Sequence, residues 1–364
     1  MSTLQQRLLA RFSRLQGTSA RLLDALPSPV HHQLTRLLGH DSPHHELDSH
    51  LHVVLAVRKR LGGGSGLVRQ DAALSRKIFH KEMLSIRGQP TRVGSVKDLT
   101  LNTRTAPLKA RLYRPASLTG DTLPTGDSLL VFYHGGGFVV GDLETHDEPC
   151  RLICQQAGIS VLSVEYRLAP EFPAPTAVHD CLAALEWAHD HAAELGINPA
   201  KIAVGGDSAG GNLAATVAQQ ARDTAFAPVA QLLIYPVVDF LDDYPSHAAY
   251  DSGLFLDRLD MDNAKAAYLG NSGLKYGDPI VSPLRGIREG LAPALVITAA
   301  LDVLRDEGEL YAQRLRQHGN QVALRRIAGQ GHGFINITSI NKGARYATIQ
   351  LAQDFRQLLD GELL

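Results

Sequence analysis

From about residue 93 the chain alternates short apolar runs with helical stretches, and few folds accept that pattern. The runs cover 96–101, 109–115, 128–134, 160–166, 201–205, 231–236, 294–299 and 321–327. Helical stretches such as 177–195 and 210–222 lie between most of them. Strands apolar along their whole length must be covered on both faces. The spacing therefore predicts an α/β fold: a mostly parallel, eight-stranded sheet flanked by helices. Ligands of such sheets bind beyond the C-terminal ends of the strands, so chemistry is sought there.

Residues 1 to about 90 differ in kind. Leu8, Leu9, Phe12 and Leu15 recur at helical spacing, as do Leu34, Leu37 and Leu38. Turn signals at 27–29 and 61–65 separate these helical pieces. The N-terminus is amphipathic, with arginines breaking its apolar runs, and does not read as a signal peptide. No apolar run approaches the roughly 20 residues that span a bilayer. The expectation is a cytoplasmic protein without stable membrane insertion.

Lys and Arg number 36 against 37 Asp and Glu, so no nucleic-acid footprint is expected. Three cysteines, Cys150, Cys154 and Cys181, are too few and too odd in number for a disulfide framework. Cys150 and Cys154 can share a helix face, but no second ligand pair accompanies them.

The run Gly206-Asp207-Ser208-Ala209-Gly210 sits between an apolar strand and a helix. It matches G-x-S-x-G, in which a serine occupies a tight strand-to-helix turn. Small residues on either side relieve crowding there. The N-terminus of the following helix favours a developing negative charge. A serine hydroxyl is a poor nucleophile and needs a base, which needs an orienting carboxylate. In this strand arrangement the chain order is Ser, acid, His. Asp302 follows the seventh run and His332 the eighth, in a glycine-flanked loop. Asp306 and Glu307 compete for the acid role but lie deeper in the next helical run, so Asp302 is preferred. Three consecutive glycines, Gly135, Gly136 and Gly137, follow the third run and expose backbone amides for an oxyanion. Gly136 and Gly137 are the preferred donors, with the Ala209 amide as the third. His134 is expected to anchor this loop rather than act as a second base.

Taken together these stretches resemble the bacterial hormone-sensitive-lipase-like carboxylesterases (family IV) of the α/β-hydrolase superfamily. The matching segments are 134–138, 166–175, 206–212, 278–284, 302–308 and 331–334, in the family's order. The resemblance implies Ser208 as nucleophile, Asp302 as acid and His332 as base, with Gly136, Gly137 and Ala209 as the oxyanion hole. It implies no cofactor and no metal. It also implies a helical cap, made from N-terminal helices, with 72–86 among them, and an insert at about 239–276. Residues 1–92 then form an N-terminal extension with part of the cap, and 93–364 the catalytic domain. The first sixty or so residues exceed the family's usual N-terminus. Their histidines, His40, His44, His45, His50 and His52, lack metal-site spacing and are expected on a solvated cap helix. Arg167 and Glu171 are expected to pair with each other, and 278–283 to form a turn.

The function expected is hydrolysis of short- to medium-chain acyl esters through an acyl-enzyme, by a monomer or homodimer acting on a small-molecule ester. Three alternatives stand beside it. An amidase or deacetylase would use the same triad. A long-chain lipid hydrolase would need an extended acyl groove. A non-catalytic ligand binder of the same fold would be expected to lack the histidine.

Overall fold

The computed structural model describes residues 19–39, 44–60, 67–116, 127–252 and 254–363. The helical spacing of Leu8 to Leu15, the turn at 61–65 and His40 lie outside the described residues.

All eight apolar runs form strands. They are β1 (Ser95–Asn102), β2 (Pro107–Arg114), β3 (Asp127–Tyr133), β4 (Ser160–Glu165), β5 (Ile197–Asp207), β6 (Gln231–Ile234), β7 (Ala294–Leu301) and β8 (Val322–Gly331). They join one sheet in the order β1-β2-β4-β3-β5-β6-β7-β8. β1, β2 and β4 pair antiparallel, and every pairing from β4 through β3 to β8 is parallel.

Alternation along the strands feeds two cores. Leu129, Val131 and Tyr133 of β3 face one core, and Leu130 and Phe132 face the other. The first core is closed by α5 (Thr176–Asp190), α6 (Ala209–Ala221) and α9 (Arg305–Gln317). The second is closed by α4 (Asp147–Ala157) and α10 (Lys342–Leu359). Cys150 and Cys154 are both buried on α4.

Before the sheet, residues 19–24 are helical, and α1 (Ser28–Leu37), α2 (Ser49–Arg60) and α3 (Ala72–Ile86) follow. The insert contributes α7 (Pro245–Ala249) and α8 (Arg258–Leu269). The histidine-rich stretch departs from expectation. α2 is not a solvated helix, because Leu47, Leu51 and Leu55 join the second core and bury His50 and His52 with them. The His50 ring bonds the Ala20 carbonyl at 3.0 Å and lies 3.4 Å from Asn341 Nδ2. Burial pushes its pKa down despite the nearby Asp24. His45 remains exposed. No helix among the described residues is long and apolar enough to cross a membrane.

A clasp fixes α8 to the chain before α3. Asp260 Oδ1 accepts from the Val68 amide at 2.9 Å, and Asn263 Nδ2 donates to the Val68 carbonyl at 2.8 Å. Burial pushes the Asp260 carboxyl up to about 6; the Val68 amide works against that and the Asp257 carboxylate adds to it. The folded state therefore holds a proton that the unfolded chain releases between about pH 4 and pH 6. That contribution is complete below pH 4 and lost as pH rises through 6. Its size is on the order of 3 kcal/mol. Denaturant melts of wild type and Asp260→Asn across pH 4–8 check this. The wild-type stability should fall relative to the variant by up to that amount, and a pH-independent difference would contradict it.

Candidate active site

Four strands end on four pieces of the site. β5 ends at Asp207, and Ser208 is the next residue. β7 ends at Leu301, and Asp302 is next. β8 ends at Gly331, and His332 is next. β3 ends at Tyr133, and the His134-to-Phe138 loop follows. β8 runs four residues past the expected 327, because an irregularity after Ala299 brings Leu301 opposite Gly331.

Ser208 holds φ 55° and ψ −118°, a left-handed conformation that costs a side-chain-bearing residue on the order of 1–3 kcal/mol. Its amide bonds the Ile234 carbonyl at 2.9 Å. The turn closes only because its flanks are bare. A Cβ on Gly206 or on Gly210 would run into the Tyr133 carbonyl oxygen, and one on Gly211 would stand 2.8 Å from Pro236 Cβ.

The three residues expected to act together are brought together. His332 Nδ1 donates to Asp302 Oδ2 at 2.8 Å, and His332 Nε2 lies 2.9 Å from Ser208 Oγ. With Nδ1 holding the proton, Nε2 is the acceptor for the serine hydroxyl. Asp302 Oδ1 accepts from the Leu304 amide at 3.0 Å, so both carboxylate oxygens are engaged. Exposure is 9% for Ser208, 7% for His332 and 1% for Asp302, which leaves the serine end open. The competitors are committed elsewhere. Asp306 accepts from the Ser246 amide at 2.9 Å, and Glu307 from Val238 at 2.7 Å with His247 at 3.1 Å.

Gly136 (φ 116°), Gly137 (φ 60°) and Phe138 (φ 64°) are consecutive left-handed residues. The Val139 and Val140 amides bond back to the Gly136 carbonyl at 3.0 and 2.9 Å. Gly137 and Ser208 line one cavity of about 80 Å³, with Val68, Phe138, Val237, Leu256 and Leu304 among its walls. Ala209 is the first residue of α6, where helix amides have no partner within the helix.

His134 is buried, and its ring bonds the Gly135 carbonyl at 2.8 Å and stacks on Tyr166. Burial, helped by His146, pushes its pKa down to about 4, so it is a neutral anchor as expected.

The sequence profile described as the α/β hydrolase fold matches residues 130–336. The carboxylic ester hydrolase LipN of Mycobacterium tuberculosis is 40% identical over 354 residues, covering 94% of this chain and 92% of that one. Lipase 2 of Moraxella sp. is 35% identical, covering 94% of this chain and 88% of its own length. The hyperthermophilic esterase from the archaeon Pyrobaculum calidifontis superposes with a TM-score of 0.77 at 36% identity, over 86% of this chain and 98% of that chain. The chain belongs to the hormone-sensitive-lipase-like carboxylesterases of the α/β-hydrolase superfamily. Like those relatives, it is a carboxylic ester hydrolase.

Two contributors to this family site escape a sequence reading. Asp207 Oδ1 accepts from the Gly135 amide at 2.8 Å, tying the triglycine loop to the serine turn. Burial works to raise its carboxyl, but His146, the Gly135 amide and His134 outweigh it and hold the pKa below the usual range. Tyr235, after β6, sets its ring 4.6 Å from that of His332. An acidic residue inside a motif of small residues is the one available signal for Asp207. Tyr235 has none. The ion pair expected between Arg167 and Glu171 does not form. Arg167 is bidentate to the fully buried Asp180 of α5 at 2.8 and 2.7 Å, and Glu171 is bidentate to Arg76 of α3 at 2.9 and 2.6 Å.

The turn's dependence on bare flanks is testable. Gly210→Ala should lower stability by about 3 kcal/mol or more, because the obstacle is backbone that cannot rotate away. Gly158→Ala, a left-handed α4 cap with nothing within 4 Å, should cost only about 1 kcal/mol. Denaturant melts compare the two, and equal losses would contradict the steric account.

Proposed function

We infer that the chain hydrolyses short- to medium-chain acyl esters through a covalent acyl-enzyme on Ser208. The observation that carries this is the unbroken hydrogen-bond chain from Asp302 through His332 to a serine hydroxyl that opens on a small apolar cavity.

In this reading Ser208 Oγ attacks the ester carbonyl carbon while His332 Nε2 takes its proton. The carbonyl oxygen becomes an oxyanion, held by the amides of Gly136, Gly137 and Ala209. Asp302 holds the imidazole tautomer and stabilises the imidazolium, without taking the proton itself. The C–O bond to the alcohol then breaks, and His332 returns the proton to the leaving oxygen. Water, losing a proton to the same histidine, attacks the acyl carbon. Collapse of the second tetrahedral species frees the acid and Ser208. No step calls for a redox group.

The acyl range follows from size. The cavity of about 80 Å³ is well below the roughly 300–1,000 Å³ of pockets that take drug-sized ligands. A short acyl chain fills such a space, and a palmitoyl chain overflows it. Val68, Phe138, Val237, Leu256 and Leu304 give the cavity an apolar side, although buried Asp239, His247 and Asp260 also line it, and each methylene that meets the apolar side adds about 0.8 kcal/mol of binding.

Hydrolysis of p-nitrophenyl esters from acetyl to palmitoyl tests the proposal. kcat/KM should peak at the short end and fall steeply beyond the medium chains. Ser208→Ala and His332→Ala should each lower kcat by roughly 10⁴- to 10⁶-fold, and Asp302→Asn by roughly 10⁴-fold. Folded wild type that cleaves no ester, or a Ser208→Ala variant that keeps its rate, would refute it.

A further inference from the structure

α8 reaches the triglycine loop through an aromatic stack. Phe138, last of the three left-handed residues, lies face to face with Tyr268 of α8, centroids 3.8 Å apart and planes 2° apart. Phe240 closes the side of the pair at 6.1 and 6.2 Å. Phe138 is 2% exposed and Tyr268 not at all. The segment 169–174 fixes both backbones, since the Ala169 amide donates to the Phe138 carbonyl and the Ala174 amide to the Tyr268 carbonyl, each at 2.9 Å. One turn earlier on α8, Ala264 closes over Gly137, where an added Cβ would stand 2.9 Å from its methyl.

From this geometry we propose that Tyr268 is a positioning residue for the oxyanion hole. Its ring holds Phe138, and through Phe138 it holds Gly136 and Gly137 in their left-handed conformation. The cap thus acts on the transition state as well as covering the substrate. The ring does this, not the hydroxyl, because the Tyr268 hydroxyl is buried with no hydrogen-bond partner among the described residues. Donors fixed in advance stabilise an oxyanion because nothing must reorganise as charge develops. A loosened loop loses that advantage while ground-state binding, which asks little of the amides, survives.

The proposal rests on the serine-esterase reading. Its test is the kinetics of wild type, Tyr268→Leu and Tyr268→Phe on p-nitrophenyl acetate, with inhibition by an aryl trifluoromethyl ketone, which forms a tetrahedral adduct on a serine nucleophile. Tyr268→Leu should lose roughly 10- to 100-fold in kcat, less than the roughly 10²–10³ of a deleted oxyanion donor. Its KM should stay within about twofold, and its affinity for the ketone should fall by the same factor as kcat. Tyr268→Phe should restore both. A raised KM with unchanged kcat, undiminished ketone affinity, or a Phe variant as poor as the Leu variant would overturn the proposal. Should Tyr268→Leu melt below the assay temperature, Phe138→Leu removes the other ring and carries the same expectations. Inactive wild type would instead sink the esterase reading itself.

Discussion

The site depends on how closely the end of β3 passes the turn between β5 and α6. The Tyr133 carbonyl lies so near that neither Gly206 nor Gly210 has room for a Cβ. That approach bends Ser208 into its left-handed conformation at the head of α6. It also sets the triglycine loop, which continues from β3, beside the serine, where Asp207 catches the Gly135 amide. The close passage therefore places the serine and the triglycine loop in one step. The parallel order β5-β6-β7-β8 does the rest, carrying the residues after β7 and β8 to the same edge of the sheet.

Strain at this edge is held from outside. Ser208 and three residues of the loop occupy conformations that favour glycine, and two of these four carry side chains. Such conformations persist only where surrounding structure over-determines them. Here the support comes from α3, whose Arg76 donates to the Val139 and Ala169 carbonyls at 2.8 Å each, from the 169–174 segment, and from α8. The N-terminal segment is part of the same support, because Val68 is clasped by Asp260 and lines the cavity. α3 and α8 thus bear on the walls of the site and on the loop behind it.

The middle of the sheet was legible because β3, β4, β6 and β7 are buried on both faces, and such burial writes itself as continuous apolar runs, whereas β1, β2 and β8 leave part of their length exposed. Ser208, Asp302 and His332 were legible because each lies within five residues after an apolar run. What could not be read depends on partners far away in the chain. His50 is buried through the Ala20 carbonyl and Asn341, and nothing near it in sequence announces either. Arg167 and Glu171 lie four residues apart in one loop, yet each finds a bidentate partner on a helix. Asp207 and Gly135 are separated by 72 residues, and Tyr268 meets Phe138 only once the insert has folded back. Local pattern reports the face a residue turns to the core. It does not report which residue waits there.

The most direct test of the central claim is intact-mass and peptide mapping after brief exposure to an alkyl fluorophosphonate. The account predicts one adduct per chain, located on Ser208, formed rapidly by wild type and lost in His332→Ala. Folded protein that stays unmodified, or an adduct on any other residue, would contradict it.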